Sequence, residues 1–393
     1  MSEFMFEKDA MPRTRIKVVG VGGGGCNSVD SMIGLGLPGV EFYAVNTDLQ
    51  ALSNSKCPNK IQIGKESVRG MGAGGDPKRG ESAAMEDQDL LQGILEGGDM
   101  AFIAAGLGGG TGTGAAPVIA RLAHEMELLT IAIVTKPFSF EGPQKRNRAQ
   151  QGIEQLRQYV DALIVVENEK LLESVSAKTP LLEAFATVNQ ILAQGVQSIS
   201  DLINMPGLIN ADFQGVRSVM GATGGAVLGV GVGKGENRAV EAVKKACSAT
   251  LQEKIVIDGA KRVLISLTGG PEMTLREINE AATLVYEAAD AEANIILSAV
   301  IDDRLTDEIR VTIMATGFGE EPVKSISSTP AHRISTPVRP ITQPKPIRGT
   351  LTNSAVQAEF SSETDSDEDD EIEEGLRNAI RDSMKEDYGQ IQV

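Results

Sequence analysis

The sequence predicts an α/β fold: a doubly wound parallel-sheet domain, joined by a long central helix to a smaller α+β domain, with a disordered C-terminal tail. Three observations lead there. From about residue 13 to 168, near-continuous apolar segments alternate with helical stretches, as parallel strands buried on both faces require. Across 180–203, apolar residues recur every three or four positions. Past 318 the composition turns to Pro, Ser and Thr, and then to acid.

The first domain offers six strand candidates in order: RIKVVGVG, VEFYAVNTD, KIQIG, MAFIAAGL, TIAIVTKPF and ALIVVEN. Trp is absent and aromatic residues are only 4% of the 393, so the cores have to be aliphatic. The helix over 180–203 carries Phe185, Val188, Leu192, Val196, Ile199 and Ile203 on one stripe. AVLGVGVG, a helix near 238–251 and KRVLISLTGG follow. A helix over 274–291 is expected to bury Leu275, Ile278, Ala282, Val285 and Ala289, and NIILSAVIDD and EIRVTIMATGF close the domain. The segment 322–346 holds six of the 16 prolines and reads as a disordered linker. After the acidic run, Ile372, Leu376, Ile380 and Met384 fall on one helical face. That short amphipathic segment is marginal alone in water; it either frays or folds on a partner. The expected boundaries are a flexible N-terminus (1–12), the first domain (13–179), the connecting helix (180–203), the second domain (204–318), the linker (319–371) and a partner-binding tail (372–393).

Composition excludes several functions. The net charge is −17, but ten acidic residues lie in 359–374, which leaves −7 for everything else. No basic face is available for a nucleic-acid backbone. The three cysteines form no paired motif, so a reducing cytoplasm is expected. Two histidines leave almost nothing for a His-based zinc site or catalytic triad. The opening MSEFMFEKDAMPR does not read as a signal peptide, and no apolar run approaches the ~18 residues of a membrane span, so direct membrane insertion is not expected.

Two glycine loops carry the chemistry. In VVGVGGGGCNS, Gly20, Gly22 and Gly25 satisfy GxGxxG after a strand, and Asp48 follows 23 residues after Gly25. That spacing also fits a dinucleotide fingerprint; both readings place backbone N–H groups and a helix start against a diphosphate. In AFIAAGLGGGTGTGAAP, the glycines at 106, 108, 109, 110, 112 and 114 strip Cβ atoms from the loop, and Thr111 and Thr113 add hydroxyls. Successive N–H groups there can form an anion nest. There is no Lys, so this is not a Walker loop. Two such loops in one sheet suggest one nucleotide held from both sides. A side chain at Gly110 is expected to fill the space of a phosphate oxygen; a mere packing turn predicts lower stability with unchanged affinity instead.

GGGTGTG together with VGGGGCNS resembles the signature pair of the FtsZ/tubulin family. The match runs collinearly over about 13–317 and takes in NTD (46–48), GAGGDP (72–77), PFSFEG (137–142) and PGLINADF (206–213). The resemblance implies a tubulin-like GTPase domain, the long helix as connector, and a second domain that carries a catalytic loop. It implies GTP or GDP as ligand, with Mg2+ on the phosphates. Gly23, Gly24, Gly25, Cys26 and Asn27, with Gly110, Thr111 and Gly112, would hold the phosphates, and Gly22, Gly108, Gly109, Thr113 and Gly114 would belong to the nucleotide site around them. Asn46 and Asp48 belong to the same site, and Ala73, Gly74 and Gly75 would close over the terminal phosphate. Glu141 would engage the ribose with Lys145 beside it, where the family usually has Arg. Phe185 would stack on guanine, core packing being its alternative, and Asn168 and Asn189 would read the base edge.

Asn210 and Asp212 match family positions that activate water at the nucleotide of the next subunit. The family pattern is NxDFxD, and Gly215 stands where its last Asp is expected. The resemblance further implies a head-to-tail homopolymer, a cytoplasmic place at the mid-cell division site, and membrane-tethering and regulatory division proteins as tail partners. Three readings stay open on the residues: a polymerising GTPase, a structural filament protein with weak or no turnover, and a Rossmann oxidoreductase.

Overall fold

The computed structural model describes residues 14–37, 39–170, 179–204, 213–221, 225–248, 257 and 259–318. All lie within one compact unit, Met1–Ser325. The expected N-terminal segment, the linker, the tail, and Asn210 and Asp212 lie outside the described residues.

The strands are β1 (Ile16–Val21), β2 (Val40–Asn46), β3 (Asn59–Gln62), β4 (Met100–Gly106), β5 (Leu129–Lys136), β6 (Ala162–Glu167), β7 (Gly225–Lys234), β8 (Arg262–Gly269), β9 (Asn294–Ile301) and β10 (Glu308–Thr316). The helices are α1 (Gly22–Ile33), α2 (Leu49–Asn54), α3 (Pro77–Glu86), α4 (Gln88–Leu95), α5 (Thr111–Glu125), α6 (Pro143–Leu156), α7 (Leu181–Asn204), α8 (Phe213–Met220), α9 (Arg238–Cys247) and α10 (Leu275–Ala288). Among the described residues the strands form a single ten-stranded sheet, ordered β3-β2-β1-β4-β5-β6-β7-β10-β8-β9.

The first six strands are parallel, and winding reverses between β1 and β4. Alternate residues of each strand feed opposite cores. Ile16, Val18, Phe102, Ile131 and Ile133 pack with Val29 and Met32 of α1 and with Val188, Leu192, Val196 and Ile199 of α7. Val19, Val21, Ala101, Ile103 and Val134 pack with Ile119 and Leu122 of α5 and Ile153 of α6. The second part has its own core. Val263, Ile265 and Leu267 of β8 and Val311 and Ile313 of β10 meet Ala242 and Val243 of α9 and Ile278 and Val285 of α10.

The two parts expected from sequence share the sheet through a short seam, where Leu163 pairs with Gly225 and Ile164 with Ala226. Helix α7, 24 residues and roughly 36 Å long, ties both sides together. Ser28 Oγ donates to Asn189 Oδ1 at 3.0 Å on the first side. Ser198 and Thr312 share a buried hydroxyl contact of 2.6 Å on the second.

Two expected core positions sit elsewhere. Leu275 is 78% exposed because Thr274 caps α10 and the inward stripe begins only at Ile278. Phe185 is 39% exposed, one end of a stripe whose buried run starts at Val188.

Candidate functional site

The first-domain strands end level at their carboxyl edge: Val21 pairs with Ala105, Gly106 with Thr135, and Lys136 with Glu167. Helix α1 leaves β1 toward one face and α5 leaves β4 toward the other, so a crevice opens at the switch point. Both helices start there without a side-chain cap. The neighbouring α2 and α3 are capped by Asp48 and Asp76. First-turn N–H groups have no intrahelical partner, and at α1 and α5 an anion can supply one.

The glycines of the two loops divide by what a Cβ would meet. On Gly22 it would lie 2.8 Å from Gly112 N; on Gly24, 3.0 Å from Gly106 Cα. On Gly25 and Gly114 it would strike the Ala104 and Pro77 carbonyls, and on Gly112 it would lie 2.5 Å from Gly106 O. These residues let the starts of α1, α3 and α5 touch. Gly110 belongs with them: its Cβ would lie 2.7 Å from the Ala73 Cβ and 3.0 Å from Asp76 N. The space expected for a phosphate oxygen there is filled by the 72–77 loop. On Gly108, at φ +99°, a Cβ would lie 2.8 Å from Lys145 O. Only at Gly23 and Gly109 in these two loops does a Cβ meet nothing within 4 Å. Those two line open space.

Several polar side chains of the predicted set hold the loops in shape. Thr113 Oγ1 accepts from Gly108 N at 2.8 Å. Thr111 Oγ1 lies 2.6 Å from Thr47 Oγ1, which ties the second loop to the end of β2. Buried Asn46 accepts from Thr47 N at 2.8 Å. Asp48 Oδ1 accepts from Gln50 N at 2.9 Å and Ala51 N at 3.1 Å, so its carboxylate serves as the helix cap. The thiol of Cys26 is buried and pushed up to about 12, chiefly by that burial, so it stays protonated. Asn27 is exposed beside it in the second turn of α1. Ala73 is buried, while Gly74 and Gly75 turn through φ +60° and +75° above it.

A second cluster borders the first. Glu141 Oε1 accepts from Phe138 N at 2.9 Å, and its Oε2 pairs with Lys145 at 3.0 Å. Phe185 stands edge-on to buried Phe138 with ring centres 5.5 Å apart, and exposed Phe140 stacks on Phe138 at 5.0 Å. Asn189, half-buried on α7, shows its amide beside Ser28 of α1. Asn168 is 6% exposed, and its Oδ1 is buried without a hydrogen-bond partner. It lines a cleft of about 510 Å³ with Lys136, Pro137, Ser139 and Glu169. An unpaired buried amide oxygen is costly unless something donates to it. Ser139 ties this loop down by donating to Glu169 from its N–H at 2.7 Å and its hydroxyl at 2.6 Å.

Thr47, Ser28 and Phe138 escaped the sequence reading. Thr47 lay inside the quoted NTD motif, and PFSFEG already held Phe138. Ser28 closed the quoted VGGGGCNS motif, but its partner Asn189 lies on α7, 161 residues on.

The predicted catalytic residues Asn210 and Asp212 lie outside the described residues, and the nearest described element is far from the crevice. Helix α8 begins at Phe213, one residue after Asp212, and its Arg217 donates to Glu127 O at 3.1 Å. Glu127 follows the far end of α5, whose 15 residues span ~22 Å from the glycine loop. Helix α8 therefore lies at the edge of the sheet opposite the crevice. Among the described residues no group of three acidic, His or Cys side chains could hold a metal, and no helix is long and apolar enough to cross a membrane.

Comparison with known proteins shows the family. A family model for the GTPase domain of the tubulin/FtsZ family matches residues 15–176, and one for the C-terminal domain of the FtsZ family matches 224–319. The chain is similar to an empty FtsZ dimer from M. jannaschii, with 42% identity and a TM-score of 0.73, over 78% of this chain and 89% of that one. It shares its fold with GDP-bound CetZ1 from Haloferax volcanii, at 22% identity and a TM-score of 0.69, over 79% and 96%. The same holds for a GTPγS-bound CetZ2 protofilament from that organism, at 20% identity and a TM-score of 0.67, over 79% and 95%.

Proposed function

The chain belongs to the tubulin/FtsZ family and is a GTPase, and we propose that it assembles head to tail into the filaments of a cell-division ring. GTP lies in the crevice between the glycine loops, with its phosphates against the uncapped starts of α1 and α5. Gly23 and Gly109 leave the room it needs. The 73–75 turn lies over the terminal phosphate, Glu141 meets the ribose, and Phe185, Asn168 and Asn189 take the base. The orphaned oxygen of Asn168 suits a base N–H. Magnesium would be held by phosphate oxygens and water, since the described residues offer no carboxylate cage.

The observation that carries the filament is the position of α8. Helix α8 starts at Phe213 and sits at the edge opposite the crevice. That position of α8 supports the reading that Asn210 and Asp212, just before it in the chain, serve the nucleotide of the next copy. There Asp212 would take a proton from the attacking water while Asn210 orients it. The dimer and protofilament of the similar structures support self-association.

Sedimentation over a range of protein concentrations, with GTP or GDP, tests this reading. Pelleting and turnover should both appear above a threshold concentration with GTP. GTP binding without pelleting at any concentration would remove the filament. A cytoplasmic, mid-cell band of fluorescently tagged protein tests the division role. The tail partners await a binding assay with the 372–393 segment.

Slow turnover is a second reading, favoured by Gly215 in the first turns of α8. Losing one positioned acid–base group typically costs ~10²–10⁴-fold in rate. Gly215→Asp should raise turnover, and Asp212→Ala should abolish what the natural chain has. If neither changes the rate, this loop is not catalytic.

A further inference from the structure

The glycine loops contain no Lys, and Lys145 is paired with Glu141. A triphosphate nevertheless brings about four negative charges into the crevice, against which the backbone offers only dipoles. Two guanidinium groups approach from the flanks. A Cβ built on Gly75 would lie 3.6 Å from Arg148 Nη1, and one built on Gly74 would lie 3.4 Å from Arg79 Nη1. Both glycines belong to the turn whose base, Ala73, leans on Gly110.

Arg148 reaches the turn from α6. That helix lies against the second glycine loop at two points. Lys145 O faces Gly108, and one turn past Arg148 a Cβ on Gly152 would lie 2.9 Å from Thr113 Cγ2. Residues 145, 148 and 152 follow the three–four spacing of one helical stripe, so Arg148 sits between those contacts. It is half-buried, and it has no hydrogen-bond or ion-pair partner among the described residues. Arg79 comes from the other flank, exposed on the first turn of α3 and likewise unpartnered. The nearest capping carboxylate, Asp76, accepts from Lys78 N at 3.0 Å. An unpaired guanidinium held partly away from water favours an anion, and its planar fork matches phosphate oxygens.

We propose that Arg148 and Arg79 form a two-armed clamp at the 74–75 turn that binds the terminal phosphate and sets the preference for triphosphate over diphosphate. The proposal rests on the GTP reading above. Positive charge that the loops lack is supplied from α6 and α3, and Arg148 stands one turn from Lys145, where the family usually places its arginine. A diphosphate ends short of the turn and leaves both arms empty.

The test is equilibrium titration of the full chain with GDP and with slowly hydrolysed GTPγS, below the concentration at which it pellets. Arg148→Gln is expected to weaken GTPγS ~10-fold or more and GDP by less than twofold. Arg79→Gln should act in the same direction, and Arg148→Lys should lose less than Arg148→Gln. Retained GDP affinity shows that each variant is folded. If the natural chain binds neither nucleotide, the GTP reading falls and takes the clamp with it. If the natural chain binds both, and the two glutamine variants leave the GTPγS-to-GDP ratio unchanged, the clamp alone is wrong.

Discussion

Gly109 and Gly110 are adjacent, yet a side chain would meet ligand space at one and protein at the other. A Cβ on Gly109 points into space empty to 4 Å, whereas one on Gly110 meets Ala73 and Asp76. Gly109→Val should therefore cut nucleotide affinity by an order of magnitude or more with little change in melting temperature. Gly110→Val should lower stability by ~1–3 kcal/mol through overpacking, with any affinity loss following from the displaced 73–75 turn. Titration and thermal melts on both variants check the contrast; equal melting shifts would refute it.

Asp201, on α7, is a second residue with a measurable signature. Burial pushes its carboxyl up to about 6, against an opposing pull from Arg310 and Arg304 and a further push from Asp302. Because the folded value lies above the unfolded one, stability is fully present below the unfolded value and is lost as pH rises through 6. The shift from 3.8 to about 6 corresponds to a penalty of about 3 kcal/mol at neutral pH. Asp201→Asn should be more stable than the natural chain at pH 7.5. It should also lack a gain of ~1 kcal/mol that this group contributes between pH 7.5 and 5. Urea midpoints at both values test this, and a less stable variant at pH 7.5 would mean that the pull of Arg310 on the charged Asp201 outweighs its burial.

At the scale of elements, β7 and α9 show why a strand can be rich in glycine. Cβ atoms on Gly229, Gly231 and Gly233 would strike the carbonyls of Ala246, Ala242 and Arg238, respectively. A period of two on the strand meets a period of four on the helix, and the backbones pack with nothing between them. Arg238 starts that helix with a side chain 7% exposed, bound to Glu277 at 2.7 Å and Glu272 at 2.9 Å. Gly231→Val should push α9 off the sheet and destabilise the second part by ~1–3 kcal/mol or more. GDP affinity of the folded fraction should hold, since the crevice lies on the other side of the seam. A matching loss of affinity in folded protein would mean that α7 transmits the displacement.

For the whole molecule, the crevice and the start of α8 lie at opposite edges of one sheet. The exposed side chains of Met71 and Phe140 belong to the crevice loops, and apolar residues there suit contact with another copy. If the described unit carries the filament, removal of residues 321–393 should leave GTP-dependent pelleting intact and abolish binding of tail partners. A truncated chain that no longer pellets would place part of the assembly surface beyond the described residues.

The order of strands and helices was legible in the sequence because parallel strands buried on both faces must be apolar, and because the glycine loops fall between strand and helix. The roles of single glycines were not. Gly23, Gly109 and Gly110 look alike in sequence, and only the approach of the 72–77 loop separates them. Asp48 fitted an acidic fingerprint by spacing, but the cap it makes depends on where β2 stops and α2 starts. Arg79 and Arg148 lie 69 positions apart in the chain. No local pattern joins them; the packing of α3 and α6 on either side of α5 does. Sequence specifies what is local and periodic, because backbone geometry fixes those spacings. Which distant side chains share a few ångströms is decided only when the layers close.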